Sequence, residues 1–315
     1  MNPERVVVVT GAAGFIGGAV VRSLVREHRN VRPVVRVLRS GDPAGAVALG
    51  DLASVTDAAL ANALDGVYAV LHFAGLAHVG RSAQGAEATY QASNVVATGR
   101  LARAALRAGV ARFILASTVK VNGESTKPGH PFRPDDAPDP VDSYARSKRD
   151  AETTLFDVAQ STSMAPIVLR LPLTYGPGAK GNFARLTAAV AAGHALPLRA
   201  IDNRRSLLSL RNLERAATAI LESPAAPSGI HFVADADSVS TPRLVEAIAQ
   251  ALGRSAKLYA IPVPLLRLAA ALAGRRGEIA RLVDSLEVDS SSLVASTGWR
   301  PMPFAIDSRD VAPAS

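Results

Sequence analysis

The chain has 315 residues, 48% of them hydrophobic and 20% charged, enough for a large core in an ordinary globular protein. It contains no cysteine, which excludes disulfides, Cys-ligated zinc and Cys nucleophiles, and no metal site is expected. A formal net charge of +8 suits nucleic acid, an acidic membrane surface or phosphorylated small molecules. Clusters of Lys/Arg with interleaved aromatics are missing, which puts nucleic acid last.

In chain order, Val6–Val9 is a continuous β-branched run, as in a strand buried on both faces. It is too short for a signal peptide. It leads into Thr10-Gly11-Ala12-Ala13-Gly14-Phe15-Ile16-Gly17 and an amphipathic helix to about Glu27. Strand, glycine turn, helix, strand is the order of a dinucleotide site. Gly11 permits the turn, Gly14 lets backbone approach a pyrophosphate, and Gly17 allows close packing. The helix N-terminus, with Phe15 and Ile16, attracts the phosphates. The spacing is Gly-x-x-Gly-x-x-Gly rather than Gly-x-Gly-x-x-Gly.

A second strand is expected over 31–38. An Asp or Glu at its end would hold the adenosine ribose hydroxyl of NAD. Arg36 and Arg39 stand there instead. They suit the ribose phosphate of NADP, or are solvated arginines; NADP(H) is favoured, with NAD(H) the alternative. Asp51, followed by Leu52, is a candidate acceptor for the adenine amino group. A strand over 67–73 ends at Ala74-Gly75, small enough for backbone to run along a dinucleotide. His78 lies just beyond in a loop, as a substrate contact or a solvated histidine.

The pattern over 86–107 predicts one long helix carrying Asn94. The strand over 112–116 ends in Ser117-Thr118, hydroxyls where ligands bind in parallel sheets. Lys120 and Asn122 follow in a loop, and Pro128, Pro131, Pro134, Pro138 and Pro140 punctuate a non-helical connection. Tyr144 and Lys148 then share one face of a helix reaching about Gln160, with Asp142 or Ser143 as N-cap. An ammonium beside a phenol lowers the Tyr pKa from about 10 towards neutral, which makes Tyr144 a proton donor and acceptor. A sixth strand is expected over 167–171.

Past Pro172, a polar loop from Tyr175 to Phe183 precedes a helix near 184–192. Arg204-Arg205-Ser206 leads an apolar run to Leu210, and a strand over 230–234 precedes a helix over 242–252. Val263–Ala273 is apolar but interrupted by Pro264 and Arg267, and falls short of the roughly 20 residues a membrane span needs. It reads as a packed helix, with a membrane-surface helix as the second reading. The expectation is a soluble, cytoplasmic protein.

These residues together identify a resemblance. Thr10-Gly-x-x-Gly-Phe-Ile-Gly17, Asp51-Leu52, Leu71-His-Phe-Ala-Gly75, Asn94, Ser117-Thr118, Tyr144-x-x-x-Lys148 and Tyr175-Gly-Pro-Gly178 occur in order along nearly the whole chain. The sequence resembles the extended short-chain dehydrogenases/reductases, in their sugar-nucleotide epimerase/dehydratase group. The resemblance implies an α/β fold: a Rossmann-type doubly wound parallel sheet with a smaller C-terminal substrate-binding α/β domain. The division expected is 1–172 for the dinucleotide domain, with segments near 202–215 and 228–253 returning to it, and 173–315 mainly for substrate.

The resemblance further implies a catalytic triad of Thr118, Tyr144 and Lys148, with Ser117 in reserve. Lys148 would also bind the nicotinamide ribose, and Ser117, Asn94 and Pro172 would join the cofactor contacts. Asn182 and Phe183 would approach the substrate nucleotide, Arg205 and Arg281 its diphosphate, and Lys120 its sugar. The Lys120-Val121-Asn122-Gly123-Glu124 stretch looks like the 4-keto reductases of O-antigen and capsule synthesis, which yield UDP-N-acetylquinovosamine. No acid follows Thr118, so dehydration is disfavoured. The main expectation is therefore NAD(P)H-dependent reduction of a UDP-4-keto-6-deoxy-N-acetylhexosamine. A C4 epimerase with tightly bound NAD is the alternative, and a nucleotide-binding protein without catalysis is the third. A homodimer through a four-helix bundle of the helices at about 86–107 and 143–160 is implied as well.

Overall fold

The computed structural model describes residues 5–77 and 85–312. From the N-terminus the elements are β1 (Val6–Thr10), α1 (Phe15–Arg26), β2 (Val31–Val35), β3 (Val47–Ala48), α2 (Asp57–Leu64) and β4 (Val67–His72). Then come α3 (Ala86–Tyr90), a π-helical turn (Gln91–Val96), α4 (Ala97–Arg107), β5 (Arg112–Thr118) and a 3-10 turn (Val119–Val121). They are followed by α5 (Ser143–Ala159), β6 (Ala165–Leu171), β7 (Leu173–Tyr175) and α6 (Gly181–Ala191). The chain continues with β8 (Leu207–Ser209), α7 (Leu210–Glu222), β9 (Gly229–Phe232) and α8 (Thr241–Ala251). It closes with α9 (Val263–Leu272), α10 (Arg276–Val283) and α11 (Ser291–Thr297).

Seven strands form one parallel sheet in the order β3-β2-β1-β4-β5-β6-β9. The chain winds outward from β1 to β3, then crosses back to β4 on the other side of β1. The strand ends part at that reversal, which is where ligands bind in doubly wound sheets. The two-residue side-chain period divides β1 between two cores. Val7 and Val9 pack with Val20 and Leu24 of α1 and Leu213 and Ile220 of α7. Val8 packs on the opposite face with Leu60 of α2, Leu101 of α4 and Leu155 of α5. This is why the first strand reads as unbroken valine.

A third core gathers Tyr175, Phe183 and Val190 with Leu244, Val245 and Ile248 of α8. The 228–253 segment therefore divides: β9 completes the sheet, whereas α8 belongs to this separate core. Asn203 helps hold α8 there. Its carbonyl accepts from the Thr241 N–H at 2.8 Å, and its amide donates to the Thr241 hydroxyl at 3.1 Å. Helix α7 packs on α1, and Thr218 donates to Glu27 at 2.9 Å.

The predicted helix over 86–107 is interrupted where the sequence gives no warning, at the π-helical turn around Asn94. Strand β2 stops at Val35, three residues short of expectation, because the chain turns to let Leu49 donate to Val35 and Gly50 to Arg36. Among the described residues, no helix is long and apolar enough to cross a membrane.

Candidate active site

The glycine turn fits an anionic dinucleotide on geometric grounds. A Cβ on Gly11 would lie 2.7 Å from the Ala74 nitrogen, and one on Gly17 would lie 2.3 Å from the Gly11 carbonyl oxygen. Both positions demand glycine, and Gly11 also has φ +69°. Gly14 is the N-cap of α1 and offers no side chain to its N–H groups, and the first turn carries no acid. The N–H groups of Phe15, Ile16 and Gly17 therefore point out of an uncapped helix end with a positive dipole. The Thr10 hydroxyl accepts from the Ala74 N–H at 3.2 Å and ties this turn to the end of β4. His72 bridges the Thr10 hydroxyl at 2.7 Å and the Thr98 hydroxyl at 3.1 Å. Burial pushes its pKa down to about 3, so it serves as a neutral spacer.

Tyr144 opens α5 two residues after Asp142, whose carboxylate caps the helix by accepting the Ala145 N–H at 2.7 Å. Thr118 ends β5 opposite. Its oxygen accepts the Lys120 N–H at 3.3 Å, which leaves its O–H to donate to Tyr144. The Tyr144 ring is backed by Tyr90, centroids 5.8 Å apart. Lys148 is buried one turn on, with its ammonium directed towards Gly75, where a Cβ would lie 3.9 Å from Nζ. Thr118, Tyr144 and Lys148 thus lie by the ends of β4 and β5.

The electrostatics correct one expectation. Tyr144 is not lowered towards neutral: burial and then the Asp142 charge push it up to about 12, while the Thr118 hydrogen bond opposes them. Burial of the phenol, which the Tyr144–Lys148 spacing does not reveal, is the largest cause and outweighs the lowering that the spacing suggests. Tyr144 is therefore a phenol, an acid in waiting, across the neutral range. Lys148 itself is lowered to about 8 by burial, against the opposing charge of Glu152. The Lys148 ammonium is therefore lost as pH rises through about 8. The kcat/KM of the free protein is therefore expected to fall on the alkaline side from about pH 8, checked by a pH–rate profile.

Several other expected contacts sit differently. Ser117 was the reserve triad hydroxyl and a cofactor contact, but its hydroxyl donates to the buried Glu152. Successive strand residues point to opposite faces, so Ser117 and Thr118 cannot share a role. Both amide hydrogens of Asn94 serve the protein, donating to the Leu76 carbonyl at 3.1 Å and the Ser147 hydroxyl at 2.9 Å. Its oxygen accepts the Leu76 N–H at 2.8 Å. Asn94 thus positions the loop after β4 against α5, and the π-helical turn is what aims it there.

The Phe183 ring is 2% exposed and stacks on Tyr175, so it is core rather than a nucleotide contact. Asn182 stands in the first turn of α6, its oxygen accepting from Arg185 at 2.6 Å. Lys120 is held by Glu124 at 2.7 Å and Asp142 at 2.8 Å, not extended towards a sugar. Pro172 is buried between β6 and β7. Arg36 and Arg39 are exposed beyond β2; Asp51 is exposed, closes its own turn through the Ala53 N–H at 3.0 Å, and precedes buried Leu52. His78 lies outside the described residues.

Arg205 and Arg281 do converge. The Arg205 guanidinium donates to the Asp284 carbonyl at 2.8 Å, and its charge is felt by Arg281 and Glu124. Arg281 reaches within 3.9 Å of Glu124, and its buried Nε has no hydrogen-bond partner. Two guanidiniums beside one carboxylate, one with a donor unused, suit a diphosphate.

The model of the NAD dependent epimerase/dehydratase family matches residues 7–234. The chain belongs to this family. Among relatives, a UDP-glucose 4-epimerase from Vibrio cholerae is 35% identical over 298 residues, covering 94% of this chain and 90% of the relative. Among solved structures, MoeE5 in complex with UDP-glucuronic acid and NAD superposes with a TM-score of 0.74 at 26% identity, covering 98% of this chain and 97% of that one. UDP-N-acetylglucosamine 4-epimerase from Bacillus cereus superposes with a TM-score of 0.77 at 20% identity, covering 98% and 97%. The last likeness speaks to the fold alone.

Within this epimerase/dehydratase chain, the sequence reading passed over three participants. Asp142 was read only as a cap, yet its charge also acts on Tyr144 and its second oxygen binds Lys120. Tyr90 backs the Tyr144 ring, and Glu152 faces Lys148 from one helical turn further along. Glu152 was findable in principle, since a carboxylate four residues after Lys148 shares its helix face. Tyr90 carried no such signal.

Proposed function

We propose that the protein is a UDP-sugar 4-epimerase working with a bound NAD. The observation that carries this reading is a phenol, Tyr144, hydrogen-bonded to Thr118 beside the glycine cradle of a sheet reversal. The 35% identical UDP-glucose 4-epimerase, matched over nearly its whole length, supports it over net reduction.

Gly11, Gly14 and Gly17 would admit the dinucleotide backbone, and the N–H groups of Phe15 and Ile16 would bind its pyrophosphate. Ala74 and Gly75 would run beside it, and the Lys148 ammonium, directed at Gly75, would meet its ribose. Bound NAD supplies a place for the C4 hydride to go and to return from. The remaining work falls to side chains. Oxidation requires the Tyr144 phenolate, which takes the proton of the C4 hydroxyl as the carbonyl forms; the phenol so made returns that proton to the same oxygen when hydride comes back to the opposite face of the turned sugar. The single Thr118 O–H would turn from Tyr144 to the same oxygen and fix its direction, where negative charge develops as the carbonyl is reduced again. Arg205 and Arg281 hold the diphosphate while the sugar rotates, so the anchored part of the substrate is remote from the part that moves.

The experiment is proton NMR of UDP-glucose and UDP-N-acetylglucosamine, each incubated with the purified protein without added dinucleotide. Interconversion with the C4 epimers, without net change in the nicotinamide band, supports the reading. Inertness towards both sugars, with NADPH consumed stoichiometrically by a UDP-4-keto-6-deoxy-N-acetylhexosamine, overturns it. That outcome is the second reading. It is favoured by Arg36 and Arg39, two exposed cations past β2 where a ribose phosphate of NADP would lie.

A further inference from the structure

Helix α9 is attached to the third core by one buried side chain, Leu266. Leu265, Leu268 and Leu272 are 55%, 57% and 83% exposed. Spacings of three and four residues put these three leucines on one helix face, an apolar stripe turned outward. Scattered exposed leucines are ordinary, but an ordered row of three is not. Tyr259, just upstream, is also exposed at 46%.

Within α9 and the turn after it the charges are positive, Glu278 in the first turn of α10 being the next acid in sequence. From Val263 to Gly277 the chain contains no Asp or Glu. Arg275 and Arg276, both exposed, follow as the N-cap and first residue of α10. Arg267 lies on another face of α9, where it pairs with Asp284. Apolar residues in a row with arginines at the end are the features of a helix lying in the headgroup layer of an anionic bilayer. The net charge of +8 acts in the same direction, since it attracts an anionic surface and opposes a second copy of the chain.

We propose that the α9 face docks this protein on an anionic lipid bilayer, with Leu265, Leu268 and Leu272 entering the interface and Arg275 and Arg276 meeting lipid phosphates. The docked turn leads straight into α10, which carries Arg281 to the candidate site. Catalysis would then occur close to the membrane plane. The proposal does not depend on which reaction the site performs.

The test is co-sedimentation of the purified full chain with vesicles of phosphatidylcholine alone and of phosphatidylcholine with phosphatidylglycerol, at low and high salt. Binding to the anionic vesicles alone, weakened by salt, is expected. The triple variant Leu265→Ser/Leu268→Ser/Leu272→Ser and the double variant Arg275→Gln/Arg276→Gln should each bind about tenfold more weakly or worse. Their thermal melts and sugar-nucleotide turnover should be unchanged. No binding to anionic vesicles at low salt overturns the proposal. So does undiminished binding by the leucine variant, which would reduce the effect to bulk charge. Self-association of the wild type that the leucine variant abolishes, without vesicle binding, would make the face an interface between copies and equally overturn it.

Discussion

Tyr144→Phe is expected to lower kcat by roughly two to four orders of magnitude, the usual worth of a positioned general acid–base. The substitution removes one oxygen and leaves the ring on Tyr90 and the cap at Asp142 in place. The hydrogen bond with Thr118 is lost, a stability change of about 1 kcal/mol that a thermal melt would register as small. KM should change little, because the diphosphate contacts proposed, Arg205 and Arg281, are other residues. Thr118→Val should cost less, since it removes an orienting donor rather than the proton carrier. Steady-state kinetics on both variants check this order. A Tyr144→Phe protein with an unchanged rate would remove Tyr144 from the chemistry.

Glu152→Ala is expected to destabilise the fold by about 3–5 kcal/mol, the cost of stranding a buried charge. Glu152 and Arg170 are joined at 2.6 Å with side chains 4% and 2% exposed. Arg170 also donates to the Asn122 oxygen at 2.8 Å, and Ser117 donates to Glu152. The network stitches α5 to β5 and β6 beneath the site, so its loss should also loosen Tyr144 and Lys148. Urea denaturation measures the first effect. The milder Glu152→Gln isolates an electrostatic one. Glu152 is the charge that opposes the burial-driven fall of Lys148, so its removal moves the Lys148 pKa further below about 8. The alkaline limb of the pH–rate profile should then shift to lower pH. A destabilised protein with an unmoved limb would make Glu152 purely structural.

What could be read in advance follows from which constraints are local. The β1–turn–α1 unit was legible because its three glycines answer to backbone clashes within the same stretch. The Tyr144–Lys148 face was legible because four residues make one helical turn. The π-helical turn at Asn94 was not, since it forms to satisfy Leu76 and Ser147, partners far along the chain. The protonation of Tyr144 failed for a related reason: spacing fixes the shared face, whereas the burial that raises the phenol depends on what packs around it, Tyr90 included. Phe183 was mistaken for a ligand contact because an aromatic after a glycine-rich loop looks the same whether it faces a base or, as here, Tyr175. Lys120 looked free because Glu124 and Asp142, its two holders, come together only through the fold.

The central claim is that the C4 hydride leaves the sugar and comes back. UDP-glucose carrying deuterium at C4 tests it directly. The purified protein should convert it to the C4 epimer with the deuterium retained at C4, without exchange into water or with added unlabelled dinucleotide. Epimer formed with deuterium lost to solvent would mean inversion by proton abstraction, and would contradict the account.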